Sequence, residues 1–373
     1  MRIAFYAPMK PPDHPVPSGD REMARGLMAA LRGQGHAVEI ASHFVAYSST
    51  PAPERLAQLK GDASAARARL LAAWGGSEGR PDLWLTYHPY YKSPDLLGPF
   101  VCEALRIPYV TVEASYAGKR DRDAWAPFQA EVVSGLRTAA VNFAMTAQDE
   151  EGLKRLLGPQ GRVARLPPFI DTARFAGLAA KPASQADAPA ELVCVAMMRA
   201  GAKVKSYGFL AEALKRIAHL AWRLTIIGDG PARAAVQAAF AGLPPGHILW
   251  HGAAQVDDIP ALLAAADLYV WPGFDEAYGV AYLEAQAAGL PVAALNCGGV
   301  ADAMRAGETG LLVEETSSPQ AYAEALARLI TDAPLRQHLG EGARRFMLGE
   351  RGLDQAGARL SEAMARIIKA WPQ

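Results

Sequence analysis

The segment that decides the fold is residues 192–228, LVCVAMMRAGAKVKSYGFLAEALKRIAHLAWRLTIIG. It opens on a short apolar run, continues through a loop and a helical pattern, and closes on a second apolar run, RLTIIG. This order predicts a β-strand, a crossover helix and a parallel β-strand. The N-terminal residues repeat it, because RIAFYAP is followed by GDREMARGLMAALRGQG and then by AVEIAS. Since the same βαβ unit starts twice, we predict an α/β protein with two doubly wound, parallel-sheet domains.

The length of the chain and the distribution of apolar runs set the domain limits. At about 150 residues per domain, 373 residues correspond to two domains. We predict an N-terminal domain over residues 1–175, a linker over 176–191, a C-terminal domain over 192–350 and a final helix over 351–373. The linker AGLAAKPASQADAPAE is rich in alanine and proline and lacks apolar periodicity. The final helix has one apolar stripe, formed by Leu353, Leu360, Met364, Ile367 and Trp371.

Composition excludes several classes of protein. The 38 basic and 38 acidic side chains cancel, so nothing in the charge balance favours a nucleic-acid partner. Cys102, Cys194 and Cys297 are too far apart for a CxxC metal site or a disulfide framework, which fits a reducing cytoplasm. No segment reaches about 18 unbroken apolar residues, the length that a membrane span requires. We therefore expect a cytoplasmic protein, with peripheral membrane contact left open.

Two glutamates flank Gly279 in the stretch WPGFDEAYGVAYLE, residues 271–284. Glu276 follows the strand DLYVWP and Glu284 lies inside the next helix, up to about 12 Å away if the whole segment were helical. Between them, the backbone amides of Tyr278, Gly279 and Val280 lie at a helix start and could bind phosphate. Carboxylates accept hydrogen bonds from hydroxyls, so the pattern suits a nucleotide sugar. Spacing alone favours the plainer interpretation, in which Glu276 caps the helix and Glu284 is an exposed helical residue.

Glycines and cations follow the other strands of the C-terminal domain. Gly228 and Gly230 come directly after LTIIG and form either a tight turn or a loop that faces a nucleotide. An NAD-binding fingerprint would need a glycine where Arg233 stands. After VCVAMM come three cations that could meet a diphosphate or could simply be solvated: Arg199, Lys203 and Lys205.

The C-terminal domain resembles a known family. The run EAYGVAYLEAQAAGLPVAALNCGGVADAMRAGETGLLV, together with GDGP and DLYVWP, is similar to the donor-binding domain of the family 4 retaining glycosyltransferases, over about Leu192 to Glu315. SGDREMARGLMAALRGQGHAVEI and PPFIDTARF resemble the family more loosely. The resemblance implies the glycosyltransferase-B fold, with two Rossmann-like domains facing a cleft. It also implies transfer of a sugar from a nucleotide-activated donor to an acceptor hydroxyl with retained configuration, without a metal or other cofactor.

The resemblance also assigns roles to residues of this chain. It places Glu276 near the anomeric carbon of the transferred sugar and Glu284 on the ribose hydroxyls. Arg199 and Lys205 would hold the diphosphate and stabilise the leaving group, although Arg199 stands one residue further upstream than in the usual family pattern. Gly19 would let the first loop approach the donor phosphate. The final helix would cross back to the N-terminal domain.

The N-terminal domain departs from the family pattern. Many members have a histidine after the strand that PYVTV resembles, and here Glu113 takes that place. Either Glu113 substitutes for the histidine, or His88, after the strand DLWLTY, faces the substrate. A lone histidine at a strand end is more often structural. Several aromatic side chains could stack on an acceptor sugar or could simply pack against one another: Tyr87, Tyr90, Tyr91 and Tyr116.

Other questions stay open at the level of sequence. Asp121 and Asp123 have the DxD spacing of some metal sites, but the motif is short and lies in a charged loop, so we discount it. UDP-, GDP- and ADP-sugars are equally compatible donors, and the acceptor is unknown. An inactive nucleotide-sugar-binding protein and a nucleotide-sugar epimerase of the same fold are the alternatives.

Overall fold

The computed structural model describes residues 1–16, 18–76, 79–159, 161–178 and 188–372. The chain forms two compact units, one of Met1–Pro167 with the segment from Leu353 onward, and one of Pro168–Gly352. Of the predicted linker, residues 179–187 lie outside the described residues. The limits at residues 175 and 192 therefore stay predictions.

The first unit is a parallel sheet covered by helices. Its described strands run in the order β2-β1-β3-β4-β5-β6. They are Arg2–Tyr6 (β1), Ala37–Ile40 (β2), Leu83–Tyr87 (β3), Tyr109–Val112 (β4), Val141–Ala144 (β5) and Val163–Arg165 (β6). The helices are Gly19–Gly33 (α1), Pro53–Trp74 (α2), Gly98–Leu105 (α3), Ala126–Thr138 (α4) and Ala147–Leu157 (α5), with a 3₁₀ turn at Gly118–Asp121. Every residue of β3, β4 and β5 is buried, as expected for strands with helices on both faces.

The second unit repeats this architecture. Its described strands, in the order β12-β11-β10-β7-β8-β9, are Ala190–Val195 (β7), Trp222–Ile227 (β8), Ile248–Gly252 (β9), Leu268–Val270 (β10), Val292–Asn296 (β11) and Gly310–Glu314 (β12). Its helices are Ala173–Ala176 (α6), Ala202–Arg216 (α7), Arg233–Ala239 (α8), Ile259–Ala264 (α9), Val280–Ala287 (α10), Val300–Ala303 (α11), Pro319–Thr331 (α12) and Ala333–Glu350 (α13), with a 3₁₀ turn at Val256–Asp258. All described strand pairs are parallel, so the predicted α/β fold with two parallel sheets is confirmed.

The strand order of the second unit creates a crevice. After β7 the chain continues to β8 on one side, whereas β10 lies on the other side of β7 and continues to β11. The loops that follow β7 and β10 therefore depart in opposite directions from neighbouring strands. In open parallel sheets, ligands bind at such a switch point, beyond the carboxyl ends of the strands.

The final helix, Leu353–Ala370 (α14), packs along α1 within the first unit. Gly357 lies so close to the carbonyl of Ala30 that a Cβ there would overlap the α1 backbone. Leu360 and Met364 of the predicted apolar stripe are fully buried. Leu353, Ile367 and Trp371 are half-buried, and the indole of Trp371 donates to the carbonyl of Arg106 at 3.0 Å.

None of the helices in the described part of the chain combines the length and the apolar character that crossing a bilayer requires.

Candidate functional site

Two loops of the second unit flank the crevice at the switch point. One connects β7 to α7 and the other connects β10 to α10. Two contacts join the first turns of α7 to the loop before α10: the backbone amide of Phe274 donates to Ser206 Oγ at 3.1 Å, and Lys203 forms an ion pair with Glu276. These two contacts hold the two sides of the crevice in a fixed position relative to each other.

Glu276 lies in the loop before α10, where the sequence predicts it. The indole Nε1 of Trp271 donates to its Oε1 at 3.0 Å, and the ammonium of Lys203 contacts the same oxygen. In the described part of the chain, no hydrogen bond or ion pair engages Oε2. Because the side chain is 17% exposed, this second oxygen can accept a hydrogen bond from a ligand hydroxyl.

Helix α10 begins immediately after Gly279, as the sequence predicts. Gly279 has φ 77°, and a Cβ there would lie 2.6 Å from Cδ2 of Tyr282, so glycine is required. Val280 is the first helical residue, and Tyr278 is buried beside it. Within the described residues no side chain caps this helix. The first-turn amides of α10 are therefore suited to an anion.

Glu284 is the second carboxylate of the pair and lies in the middle of α10. Its side chain is 16% exposed, and its Oε1 lies 3.6 Å from the guanidinium Nη1 of Arg174. The other terminal nitrogen of Arg174 donates to the carbonyl of Val256, in the loop after β9. Arg174 thus joins α10 to the segment that follows β9.

The glycines after β8 bring their loop against the loop after β7. Gly228 has φ 150° and Gly230 has φ 153°, and a Cβ on either would overlap the carbonyls of Ala196 and Met198, respectively. The amide of Met198 donates to the carbonyl of Asp229 at 2.9 Å. Both glycines therefore allow the backbone of this loop to pack closely against the backbone of the loop after β7, whether or not they also contact a ligand.

The other predicted cations are placed differently from Lys203. Arg199 is exposed in the loop after β7. Lys205 is also exposed, and its ammonium lies 3.7 Å from the ring centroid of Phe274. A lysine over an aromatic face gains a modest attraction from the ring and stays accessible to an anion.

A second polar cluster lies in the first unit. His88 and Glu113 are the first residues after β3 and β4, and both have φ 57°, a left-handed conformation that non-glycine residues rarely adopt. His88 Nδ1 lies 3.1 Å from Oδ1 of Asp20, which follows Gly19 at the start of α1. The ring of Tyr90 stacks on the imidazole with centroids 4.9 Å apart. The structure thus brings together both residues between which the sequence left the choice open.

The charges of this cluster shift one another's pKa values. Burial alone would lower the pKa of His88, but the charge of Glu113 and the hydrogen bond to Asp20 raise it to about 9. Burial raises the pKa of Glu113 to about 7, with the charge of His88 acting in the opposite direction. Burial also raises the pKa of Asp20, but the hydrogen bond and charge of His88 outweigh it, and the pKa is lowered. The cluster therefore holds an imidazolium at neutral pH.

The tyrosines that the sequence proposes for an acceptor do not all lie together in the first unit. Tyr90 contacts Tyr91 edge-on at 5.4 Å, and Tyr91 contacts Trp125 at 5.1 Å. Tyr116 packs elsewhere, and its hydroxyl donates to the carboxylate of Asp121. Of the tyrosines expected to face an acceptor, Tyr90 stacks on His88, and Tyr87 makes an edge contact with it.

The DxD pair in the same region is engaged by neighbouring side chains. Asp121 accepts from Tyr116, and Asp123 pairs with Arg120 at 2.6 Å. No group of three or more histidine, cysteine, aspartate or glutamate side chains in the described ranges is arranged to hold a metal ion.

Three side chains of these clusters were missed as site residues by reasoning from sequence. Lys203 appears there among three cations that could meet a diphosphate or be solvated, and only its neighbours Arg199 and Lys205 receive a role from the family resemblance. Arg174 lies within PPFIDTARF, whose loose resemblance to the family was the available signal. Asp20, directly after Gly19, carried no signal that would connect it with a histidine 68 positions away.

Residues 189–332 match the family model described as "Glycosyl transferases group 1". The D-inositol 3-phosphate glycosyltransferase of Salinispora arenicola is 46% identical over 89 residues, which is 24% of this chain and 20% of that protein. The GDP-mannose-dependent alpha-(1-6)-phosphatidylinositol monomannoside mannosyltransferase of Mycobacterium tuberculosis is 30% identical over 224 residues, 55% of this chain and 56% of that protein. The chain thus spans between a fifth and about half of the length of these curated relatives.

Solved structures match nearly the whole chain at low sequence identity. Sucrose-phosphate synthase from Thermosynechococcus elongatus has a TM-score of 0.74 and 20% identity, with 99% of each chain covered. Anabaena HepE, solved in complex with UDP, has a TM-score of 0.70 and 15% identity, covering 98% of this chain and 100% of that one. Residues 189–332 therefore resemble the group 1 glycosyl transferases, and the two units have the glycosyltransferase-B fold.

Proposed function

We propose that this protein is a retaining glycosyltransferase that moves a sugar from a nucleotide-activated donor to an acceptor hydroxyl. The observation that carries the proposal is the pair Glu276 and Glu284 on either side of the uncapped start of α10, at the switch point of the second sheet. This arrangement suits a ligand with hydroxyls at both ends and phosphates between them, because carboxylates accept from hydroxyls and amides donate to phosphate. Cations on the neighbouring loop match the charge of a diphosphate.

Each part of the donor has a partner in this proposal. Glu284 accepts hydrogen bonds from the ribose hydroxyls, and Glu276 accepts them from the transferred sugar. Tyr278, Gly279 and Val280 supply amides for the phosphates, and the loops at Gly19, Gly228 and Gly230 come close to the donor. Arg199 and Lys205 stabilise the negative charge that develops on the departing diphosphate.

The chemical step that we propose retains the configuration at the anomeric carbon. The bond from that carbon to the phosphate oxygen breaks, and the acceptor oxygen attacks from the same face. A phosphate oxygen of the leaving group takes the acceptor's proton, so neither glutamate has to act as a general base. The cations replace the divalent metal that other transferases use to neutralise a diphosphate, and we propose a metal-independent reaction.

The substrates are proposed only as classes. One relative is named as GDP-mannose-dependent and one structural neighbour was solved with UDP, so UDP-, GDP- and ADP-sugars all remain candidate donors. We place the acceptor on the first unit, near His88, Glu113 and Tyr90, with Tyr116 as a more distant candidate. The named acceptors of the relatives include a phosphatidylinositol mannoside, which supports peripheral membrane contact as part of the proposal.

The test is a panel of UDP-, GDP- and ADP-sugars, scored for thermal stabilisation and for release of nucleoside diphosphate in the presence of mixed acceptors. A ligand at 100 times its Kd stabilises the fold by about 2.7 kcal/mol. We expect one donor to score in both assays and Glu276→Ala to lose at least about 100-fold in turnover, which corresponds to about 2.7 kcal/mol. Glu212→Ala, an exposed carboxylate of α7, is the matched control.

Three outcomes would contradict the proposal. Normal turnover in Glu276→Ala would contradict the role proposed for the carboxylate pair. Binding of a donor without any release of its sugar would indicate an inactive binding protein. Conversion of the donor to an epimer, seen by NMR without an acceptor, would indicate an epimerase. The anomeric coupling constant of the product and a reaction in EDTA test retention and metal independence, respectively.

A further inference from the structure

Lys203 and Glu276 form an ion pair across the crevice of the second unit. Lys203 is the second residue of α7, just after the loop that follows β7. Glu276 belongs to the loop that follows β10. The two side chains are 28% and 17% exposed, so the pair is partly shielded from water. The contact therefore lies at the place where a ligand of the switch point must enter.

The ion pair is not what fixes Glu276. The indole of Trp271 already donates to the same carboxylate oxygen at 3.0 Å, and the Lys203 ammonium lies 5.4 Å from the centroid of that indole ring. The lysine side chain is a flexible four-carbon stem with three donors at its tip. Lys203 can thus leave Glu276 while Trp271 keeps the carboxylate in place.

We propose that Lys203 is exchanged between two partners: it neutralises Glu276 in the empty crevice, and the diphosphate of the donor takes it over and releases the carboxylate for the hydroxyls of the sugar. The inference rests on the proposed function and adds a cation-exchange step to it. A diphosphate carries more negative charge than one carboxylate, and its approach to the start of α7 brings it within reach of the lysine.

The exchange makes the two halves of donor binding depend on each other. Without a diphosphate, Glu276 keeps its cation and is a weak acceptor for a sugar hydroxyl. Once the diphosphate holds Lys203, the carboxylate regains its full charge, and Oε2 becomes a strong acceptor for the sugar while Trp271 still donates to Oε1. A free sugar without the nucleotide is therefore a poor ligand, which lets the site distinguish a donor from the bare sugar.

The experiment is a double-mutant cycle on diphosphate affinity, measured by calorimetry with UDP, GDP, ADP and inorganic pyrophosphate. We expect Lys203→Met to weaken binding of the tightest of these ligands about tenfold. Glu276→Gln removes the competing partner of Lys203 and should tighten binding several-fold. In the Lys203→Met background, the same Glu276→Gln change should give a gain at least threefold smaller, because only simple repulsion is left to remove.

Each other result of the cycle overturns the inference. Equal gains from Glu276→Gln with and without Lys203 would show that the carboxylate only repels the diphosphate. Unchanged affinity in Lys203→Met would show that the lysine never reaches the ligand. Lys215 and Glu212, an exposed pair at the other end of α7, give the matched control cycle, in which every variant should bind like the wild type.

Failure of this inference can be separated from failure of the proposed function. If the wild type binds a nucleoside diphosphate but the double-mutant cycle shows no coupling, only the proposed exchange of Lys203 is contradicted. If the wild type binds none of the nucleoside diphosphates and no pyrophosphate, both the exchange and the proposed donor site are contradicted. Circular dichroism and the Tm of each variant establish that it is folded.

Discussion

Left-handed backbone at residues other than glycine is concentrated at the ends of strands. In the described ranges it occurs at His88, Arg106, Glu113 and Asp275. Arg106 closes α3, a common place for it. The other three lie in loops that follow β3, β4 and β10, where ligands bind in parallel sheets. Such residues cost about 1–3 kcal/mol each, and strain of this kind collects at functional sites.

The raised pKa of His88 predicts how the stability of the first unit depends on pH. The carboxylates that face the imidazole are Asp20, Glu113 and Asp149, and they raise its pKa from 6.5 to about 9 in the fold. The contribution of the His88 imidazolium to the stability of the fold is therefore fully present below pH 6.5 and is lost as the pH rises through about 9. We expect the difference in free energy of unfolding between wild type and His88→Asn to shrink by about 3 kcal/mol over this range.

Urea unfolding of both proteins at pH 6 and pH 9.5 measures this difference. Comparison with the variant removes most of the contribution of Glu113, whose raised pKa also favours the fold at lower pH. A difference that stays constant between the two pH values would mean that the imidazole is not held as a cation.

Gly228 supports a prediction about backbone packing. Its φ of 150° and the overlap of any Cβ with the Ala196 carbonyl mean that Gly228→Ala must separate two loops of the second unit. We expect a loss of about 3 kcal/mol or more in the free energy of unfolding, together with weaker binding of the proposed donor nucleotide. The control is Gly61→Ala in the exposed part of α2, which has open space around it and should gain about 0.5–1 kcal/mol. Equal stability of the two variants would contradict the prediction.

At the level of elements, the sequence is informative where periodicity is strong. The strand predicted in DLYVWP is found at Leu268–Val270, and the helix predicted to start around Gly279 begins at Val280. These elements follow from local rules of apolar spacing, proline and glycine. The two glutamates of the second unit could therefore be placed on a loop and a helix without a structure.

The partners of the site residues could not be predicted from the sequence. Lys203 and Glu276 are 73 positions apart, and Asp20 and His88 are 68 apart. Which of several cations meets a carboxylate depends on the turn of a helix and the direction of each side chain. Lys203 and Lys205 differ by two residues in one helix, so they point in different directions, one to a carboxylate and one to the ring of Phe274.

The packing of α14 on α1 gives a prediction at the scale of elements. Leu360 is fully buried, whereas Arg359 beside it is exposed. Leu360→Ala removes apolar contacts and leaves a cavity, so we expect a loss of about 2–5 kcal/mol in the free energy of unfolding. Arg359→Ala should change it by less than about 0.5 kcal/mol. Chemical denaturation of both variants measures these losses. Equal losses in the free energy of unfolding would contradict the prediction and would mean that α14 is bound only loosely to the surface of α1.

At the scale of the whole molecule, the chain leaves the first unit at Pro167 and returns to it at Leu353. The second unit is one continuous stretch, whereas the first is built from two. We expect removal of residues 353–373 to expose α1 and destabilise the first unit only. Hydrogen exchange should become faster in α1 and its neighbours. The strands of the second unit should keep their protection, and the proposed donor nucleotide should bind as it does to the full chain. Equal loss of protection in both units would contradict this prediction.

The return of the chain to the first unit also sets an order of events during synthesis. At about 5–20 residues per second, some 10 seconds or more separate the emergence of β6 from that of α14. During this interval the second unit can complete its sheet, while the apolar face of α1 has no permanent partner. The incomplete first unit is thus the stage at which this protein is most exposed to aggregation, and changes that weaken α14 should lower its yield in cells before they alter its chemistry.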